Sequence, residues 1–388
     1  MELEEIRQNI DSIDRQLLEL FKQRMDCAKQ VGEYKLEHKL PILNMERENE
    51  ILDSVESKGG EYGYAARLLY SNIMELSRAL QHDIVGSGRE IRTLLETGES
   101  ENTAAPESLN IAVQGIKGAN SHEAATTLFP LSHTCFYPSW DDVFKAVDSG
   151  EADFGVLPVE NSSAGSVSDV YDLLLKYRFF ITGALDLPIS HCLCALKQSE
   201  LSDIEQVWSH PQGLAQCSNF IAKNSLKPIP CSNTAVAAKL VSEEKRLNCA
   251  AICSEQAAKE YGLKVLKRDF QNCLQNSTRF VVISKKLYIP DDADKISLCF
   301  CLPHRTGSLH NVLCRFSSHG LNLTKIESRP LPGSSFEYLF YLDFTGNIRS
   351  EHVMNLMCAL SEELPEFSFF GNYKESGDGA ATPQSFEF

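Results

Sequence analysis

Two cationic residues near the start of the chain stand at a spacing that could bind an anion. Arg24 and Lys35 are eleven positions apart, about three turns, so one helix places them on one face. That face is otherwise apolar, with Ile6, Ile10, Ile13, Leu17, Leu20 and Phe21 at helical spacing. Burying an unpaired cation is costly, so each needs an anion. Either acidic residues of neighbouring helices or an anionic ligand could supply it.

Further polar residues follow on two more predicted helices. Arg47 and Glu48 open the second helix, near 46–57, and Ser77 and Gln81 stand one turn apart on the third, near 64–84. Arg7 lies roughly 100° around the first helix from Arg24. In a dimer of interlocked helices, Arg7 could serve the pocket of the partner.

Polar clusters also follow several predicted strands in the middle of the chain. Each could be a turn or a helix cap. Ligands of open α/β sheets bind beyond the carboxyl ends of strands, however, and clusters at successive strand ends favour a binding cleft. The clusters contain Glu160, Asn161 and Ser163, then Ser209 and Gln216, then Thr234, and finally Thr278, Arg279 and Phe280.

The elements that position these residues require several domains. A chain of 388 residues is too long for one core. We predict a helical domain at 1–92, a linker at 93–108, an α/β domain at 109–286, a third domain at 295–374 and a disordered tail at 375–388. The third domain has the strand and helix order βαββαβ of a ferredoxin-like α+β fold.

Composition narrows the partners. The net charge of −16 argues against nucleic acid or a membrane surface as the main partner. The thirteen cysteines are odd in number, scattered and without zinc-ligand spacing, so we expect reduced thiols. An acidic N-terminus and the lack of a long apolar run predict a cytoplasmic protein.

The first segment resembles the all-helical chorismate mutase family in the order and spacing of its polar residues. The resemblance implies an intertwined homodimer in which Arg24, Arg47 and the partner copy's Arg7 hold the two carboxylates of chorismate. It assigns Lys35 and Gln81 to the ether oxygen and Glu48 to the hydroxyl, with Asn44 and Ser77 as further contacts. An intramolecular rearrangement needs a held conformer and fixed positive charge, which these residue types provide.

The middle segment resembles prephenate dehydratase. The resemblance is carried by the stretches VENSSAG, SHPQ and NSTRF, and it implies two α/β subdomains around a cleft, as in periplasmic ligand-binding proteins. It makes Thr278 the central catalytic residue and Arg279 a carboxylate anchor, with Phe280 and the other polar residues named above as substrate contacts. The proton donor stays open between Thr278, Glu160 and a water molecule.

The last segment resembles the ACT regulatory domain, whose two motifs bind L-phenylalanine. The matching residues are Gly307, Ser308, Leu309 and His310 in the first motif and Glu327, Ser328, Arg329 and Pro330 in the second.

Together these resemblances imply a homodimer or higher oligomer that converts chorismate through prephenate to phenylpyruvate, inhibited by L-phenylalanine and needing no cofactor or metal. The alternatives are a non-catalytic sensor of aromatic amino acids and a dehydratase that prefers arogenate.

Overall fold

The chain folds into two compact units. The computed structural model describes residues 3–99, 106–273, 275–302, 304, 307–331 and 337–376. One unit takes in Met1–Thr97 and Ile296–Phe369, and the other takes in Gly98–Lys295 and Phe370–Phe388. The helical and ferredoxin-like segments therefore share one unit, and the α/β segment forms the other.

The first segment is helical, as the apolar periodicity predicts. Its helices are α1 (Leu3–His38), α2 (Met45–Lys58), α3 (Gly63–Val85) and α4 (Arg89–Glu96). Gly32 of α1 lets α3 approach closely, because a Cβ there would lie 3.1 Å from Ile84 Cδ1 and 3.4 Å from Gln81 Cα. This close packing sets the cations of α1 against the polar residues of α3.

The apolar stripe in the first half of α1 is not covered within one chain. Ile6, Ile10, Ile13 and Leu17 are each at least 41% exposed. Buried residues of α1 occur only farther along the described helix, at Ala28 and Gly32. An apolar face of this length, if left in water, forgoes the stabilisation that burial of such side chains gives.

The middle segment contains two sheets. Its helices are α5 (Asn120–Leu128), α6 (Trp140–Ser149), α7 (Ser168–Tyr177), α8 (Pro211–Gln216), α9 (Ser218–Lys223), α10 (Thr234–Glu244) and α11 (Glu255–Glu260). Its strands are β1 (Asn110–Gln114), β2 (His133–Tyr137), β3 (Phe154–Asn161), β4 (Gly165–Ser166), β5 (Phe180–Pro188), β6 (Cys192–Ala195), β7 (Gln206–Ser209), β8 (Lys227–Pro230), β9 (Cys249–Cys253), β10 (Lys264–Lys267) and β11 (Ser277–Ser284).

The sheet orders show how the middle segment is built. The larger sheet runs β5-β11-β3-β1-β2, with β4 beside β3, and the smaller runs β10-β6-β9-β7-β8. In the larger sheet β11 lies antiparallel between β3 and β5, with Thr278 opposite Asn161 and Arg279 opposite Asp186. The chain thus crosses to the smaller sheet after β5 and returns at β11.

The last segment has the predicted order of elements. These are β12 (Lys295–Leu302), α12 (Ser308–Ser318), β13 (Leu323–Pro330), β14 (Tyr338–Thr345), α13 (Glu351–Glu363) and β15 (Ser368–Tyr373). The sheet order β13-β14-β12-β15 is ferredoxin-like. Helices α12 and α13 pack against α3 within the same unit.

Two predicted boundaries need correction. The first four residues of the linker expected at 93–108 belong to α4, which continues to Glu96. The buried side chain of Ile91 packs this helix against the fold. The expected tail begins with a short strand, β16 (Glu375–Ser376), which pairs in parallel with β5. Residues 100–105 and 377–388 lie outside the described part of the chain.

All thirteen cysteines carry free thiols, and most of them are buried. Among the helices described, none combines the length and apolar character needed to cross a bilayer.

Candidate active sites

Helices α1 and α3 bring four of the predicted residues into direct contact. Arg24 Nη1 donates a hydrogen bond to Ser77 Oγ at 2.6 Å, and Lys35 Nζ donates to Gln81 Oε1 at 2.9 Å. The eleven-residue spacing on α1 and the four-residue spacing on α3 make both contacts possible at once. The result is a polar pocket between two helices.

The side chains of Lys35 and Gln81 are fixed by further bonds. Lys35 Nζ also donates to the carbonyl of Ile42 at 2.5 Å, and Gln81 Nε2 donates to the carbonyl of Ser77 at 3.2 Å. Burial lowers the pKa of Lys35 below its usual value, and the nearby carboxylate of Glu48 opposes this. The ammonium group of Lys35 is therefore only partly hydrated in the pocket.

Glu48 is oriented by a residue that the sequence analysis missed. Arg78, on α3, bonds both carboxylate oxygens of Glu48 through Nη1. Arg78 is buried. An arginine beside Ser77 on a helix gives no distinctive signal in a sequence, since its partner lies thirty positions away.

Three other predicted residues lie outside these contacts in one chain. Arg7 is exposed, and a carboxylate oxygen of Glu4 lies 3.8 Å from its Nη1. Arg47 is also exposed and pairs with Glu50 at 2.9 Å. Asn44 caps α2, where its Oδ1 accepts from Arg47 N at 3.0 Å.

In the α/β unit, Thr278 lies against Asn161. The two residues are opposite in the register of β11 and β3, and Asn161 Nδ2 donates to Thr278 Oγ1 at 2.9 Å. Asn161 Oδ1 accepts from the backbone N–H groups of Ser163 and Ala164, both at 3.0 Å. Because this network fixes the amide, Thr278 Oγ1 accepts from Asn161 and its own proton is available to a ligand.

The polar cluster extends to the smaller sheet through α8. Gln212 Nε2 donates to Asn161 Oδ1 at 3.3 Å, and Gln216 Oε1 accepts from Asn276 Nδ2 at 3.4 Å. Asn276 Oδ1 in turn accepts from Ser163 Oγ at 3.2 Å. The side chains that surround Thr278 in this cluster are uncharged.

Gln212, Asn276 and His191 are additions to the predicted set. His191 Nε2 bonds Gln216 Oε1 at 2.8 Å, and burial lowers the pKa of His191 despite that bond. Gln212 and Asn276 belong to the SHPQ and NSTRF motifs, which is the sequence signal for them. His191 directly precedes β6 and belongs to neither motif.

Thr234 lies at the first turn of α10, and Asn233 caps that helix by accepting from Val236 N at 2.7 Å. The methyl group of Thr234 is 3.7 Å from the position that a Cβ of Gly213 would occupy. Thr234 is therefore next to α8, the helix that carries Gln216.

Arg279 and Glu160 lie on the opposite face of the sheet from Thr278, because neighbouring strand residues alternate. Arg279 pairs with Asp186 at 2.9 Å, with Glu375 at 3.0 Å and with Glu160 at 3.7 Å. Burial acts to lower the pKa of Arg279, but Asp186 and Glu375 raise it above its usual value. The role of Arg279 as a carboxylate anchor therefore stays a prediction, and in this structure its guanidinium is occupied by carboxylates of the protein.

Two more predicted contacts are buried inside the fold. Phe280 is 1% exposed and belongs to the apolar core with Val113 and Phe154. Ser209 is fully buried and donates its hydroxyl to the carbonyl of Ile252 at 2.7 Å, which ties β7 to β9. Both side chains are enclosed by the fold.

The two predicted phenylalanine motifs are placed differently. Gly307 (φ 86°) precedes α12, and with Ser308, His310 and Asn311 it lines a cavity of about 700 Å³ whose other wall is formed by α2 and α3. Leu309 follows Ser308 on α12. Glu327, Ser328, Arg329 and Pro330 lie on the edge strand β13, outside that cavity lining.

Comparisons with known proteins agree with this division. The family models for chorismate mutase type II and prephenate dehydratase match residues 6–82 and 111–287. A bifunctional chorismate mutase/prephenate dehydratase of Aquifex aeolicus is 34% identical over 97% of this chain and 98% of its own length. An arogenate dehydratase/prephenate dehydratase of Arabidopsis thaliana is 36% identical over 71% of this chain and 75% of its own length.

A solved structure extends the likeness to three dimensions. The prephenate dehydratase of Arthrobacter aurescens, crystallised with L-Phe, is 29% identical and covers 68% of this chain and 89% of its own, with a TM-score of 0.63. With a match that spans both catalytic segments over nearly the whole length, the chain belongs to the family of bifunctional chorismate mutase/prephenate dehydratases.

Proposed function

We propose that the pocket between α1 and α3 binds chorismate and promotes its rearrangement to prephenate. The observation that carries this proposal is the paired contact of Arg24 with Ser77 and of Lys35 with Gln81. Arg24 binds a carboxylate, while Lys35 and the second N–H of Gln81 Nε2 stabilise the ether oxygen as its bond to carbon breaks. Glu48 accepts a hydrogen bond from the substrate hydroxyl, and Asn44 and Ser77 make further polar contacts.

We infer that two copies of the chain complete this pocket. The exposed apolar stripe of α1 needs a partner, and a second α1 offers the same apolar face. In that arrangement Arg7 of each copy reaches the pocket of the other, and Arg47 turns from Glu50 to the ligand. Measuring the mass in solution by light scattering tests this step, since a monomer with full mutase activity excludes it.

The cluster around Thr278 is the proposed dehydratase site. Prephenate takes up one proton, loses its ring hydroxyl as water and loses a carboxylate as carbon dioxide, leaving phenylpyruvate. The hydroxyl oxygen of Thr278 is oriented by Asn161, and its O–H donates a hydrogen bond to the leaving hydroxyl of the substrate. The side chains that bind the rest of the substrate are Asn161, Ser163, Gln216 and Thr234.

The sequence leaves the proton donor open between Thr278, Glu160 and water. Glu160 lies with Arg279 on the other face of the sheet, and a threonine hydroxyl is a weak acid. We therefore assign the proton to a bound water beside Thr278.

The ferredoxin-like segment is proposed as an ACT domain that binds L-phenylalanine as feedback inhibitor. The Gly307 turn lines a cavity large enough for an amino acid, and the related Arthrobacter dehydratase was crystallised with L-Phe. The free thiols are consistent with a reducing compartment, and we place the enzyme in the cytoplasm.

An ultraviolet assay of the purified chain tests the proposal. Chorismate should be consumed and phenylpyruvate formed, and phenylalanine should slow the second step. The second candidate activity is arogenate dehydration, which the similarity to the Arabidopsis enzyme raises. Comparing kcat/KM for prephenate and arogenate decides between them, and a chain that turns over neither would refute a dehydratase site at Thr278.

A further inference from the structure

A buried ion cluster lies behind the mutase pocket. At its centre is Arg78, whose side chain is 8% exposed and meets three carboxylates. They come from three helices: Glu48 from α2, Glu75 from α3 and Glu363 from α13. A guanidinium without such partners would be unstable at this depth, so the cluster is a built feature of the fold.

Arg78 restricts the carboxylate of Glu48. Both carboxylate oxygens of Glu48 accept hydrogen bonds from Nη1 of Arg78. The guanidinium is a planar group whose donors point in fixed directions. A carboxylate has about four acceptor positions. The contact with Arg78 therefore leaves room for a hydroxyl while it removes the rotation of the side chain.

Glu363 forms an ion pair with Arg78 in turn. Its side chain is 4% exposed, its Oε1 lies 3.4 Å from Arg78 Nε, and the same oxygen bonds His82 Nε2 at 2.6 Å. Burial acts to raise the pKa of Glu363, but His82, Arg315 and Arg78 lower it to about 2. Glu363 is consequently an anion at neutral pH and holds the guanidinium from the ferredoxin-like segment.

We propose that Arg78 is a positioning residue of the mutase, which fixes Glu48 for the substrate hydroxyl and is itself held by Glu363 of α13. The proposal rests on the role proposed above for Glu48. It makes a helix of the last segment part of the support of the first active site.

The main test compares Arg78→Gln with Arg67→Gln in the full-length chain. Arg67 is the matched control, because it lies on α3 and pairs with two carboxylates of α2, Asp53 and Glu56, but does not touch Glu48. Arg78→Gln should lower mutase kcat about tenfold or more, since a mobile carboxylate no longer meets the substrate in one geometry. Arg67→Gln should keep mutase kcat within about twofold, and Arg78→Lys should restore part of the loss.

A double substitution separates positioning from a general loss of structure. If Arg78 acts through Glu48, then Arg78→Gln should have little further effect in a Glu48→Gln background. The helical circular dichroism and melting temperature of each variant report folding of the unit that carries Arg78, and dehydratase turnover of supplied prephenate reports folding of the other unit. If Glu48→Gln itself leaves mutase activity intact, the proposed role of Glu48 fails before the inference about Arg78 is reached.

Glu363→Gln provides the test that leaves Arg78 in place, and it decides the matter if Arg78→Gln does not fold. We expect mutase kcat to fall severalfold with dehydratase turnover unchanged. Mutase kinetics equal to those of the Arg67→Gln control, in either variant, would overturn the proposal. Equal further losses from Arg78→Gln with and without Glu48 would overturn it too.

Discussion

The two candidate active sites differ in how they use charge. The mutase pocket directs cations inward, with Arg24 on Ser77 and Lys35 on Gln81. The side chains bonded around Thr278 are neutral, and the adjacent Arg279 lies on the other face of the sheet, paired with Asp186. The contrast follows the chemistry: a rearrangement is helped by fixed positive charge, whereas loss of a hydroxyl needs a proton and an oriented leaving group.

Among the substitutions that test this contrast, Arg24→Ala should have the largest effect on activity. Mutase kcat/KM should fall by about 10² to 10³, the usual loss for one charged donor at a reacting site. Dehydratase turnover of supplied prephenate should stay within about twofold. Lys29→Ala is the control, since Lys29 is an exposed cation of the same helix that pairs with Asp26. Equal mutase losses in both variants would show that Arg24 has no special role.

Thr278→Val should produce the opposite pattern. Valine keeps the shape of threonine but removes the hydroxyl, so dehydratase kcat should fall by about 10² while mutase kinetics remain unchanged. The matched control is Thr182→Val, a buried threonine of the neighbouring strand β5 whose hydroxyl faces the carbonyl of Val282. Substantial dehydration in Thr278→Val, measured as phenylpyruvate absorbance, removes Thr278 from the mechanism.

Arg279→Gln sharpens the comparison through a smaller effect. Because Arg279 pairs with Asp186 and Glu375 rather than with the cluster, its loss should lower the melting temperature. The KM for prephenate should change less than about threefold. A KM raised about tenfold or more at an unchanged melting temperature would instead support the role of Arg279 as a carboxylate anchor.

The two units should also differ in their response to acid, although the effect is modest. Burial lowers the pKa of His122, His191 and His210, all in the α/β unit. The unfolded chain then binds protons more readily than the folded unit as the pH falls below about 6.5, so that unit loses stability there. Glu363 has its pKa lowered from 4.5 to about 2, so its contribution to the other unit is lost only between those values.

Hydrogen exchange measured segment by segment between pH 7 and pH 5 checks this order. Faster exchange should appear first in β3, β6 and β11, before α3 and α13. Simultaneous loss of protection in both units would contradict it.

How far the sequence reaches depends on the kind of contact. Helical spacing predicts that Arg24 and Lys35 share one face of α1 and that Ser77 and Gln81 share one face of α3, and the fold shows that the two faces meet. The contacts of Arg78 could not be predicted from the sequence, because its three carboxylate partners lie on separate helices.

The dehydratase segment shows a different limit. Thr278, Arg279 and Phe280 are contiguous in the motif, and the sequence analysis assigned all three to the cleft. Strand alternation sends Arg279 to the opposite face, and Phe280 lies in the apolar core. The motif therefore marks a strand that brings one of its three predicted site residues, Thr278, into the polar cluster. The larger polar cluster forms because α8 of the smaller sheet meets β3 and β11, and only the fold shows that contact.

The most direct measurement of the central claim, that two separate sites perform two reactions, uses Arg24→Ala and Thr278→Val chains, alone and mixed. Thr278→Val alone should convert chorismate and accumulate prephenate. Arg24→Ala alone should leave chorismate untouched but convert added prephenate to phenylpyruvate. The mixture should carry chorismate through to phenylpyruvate. Loss of both reactions from either single variant would contradict the assignment of the two sites.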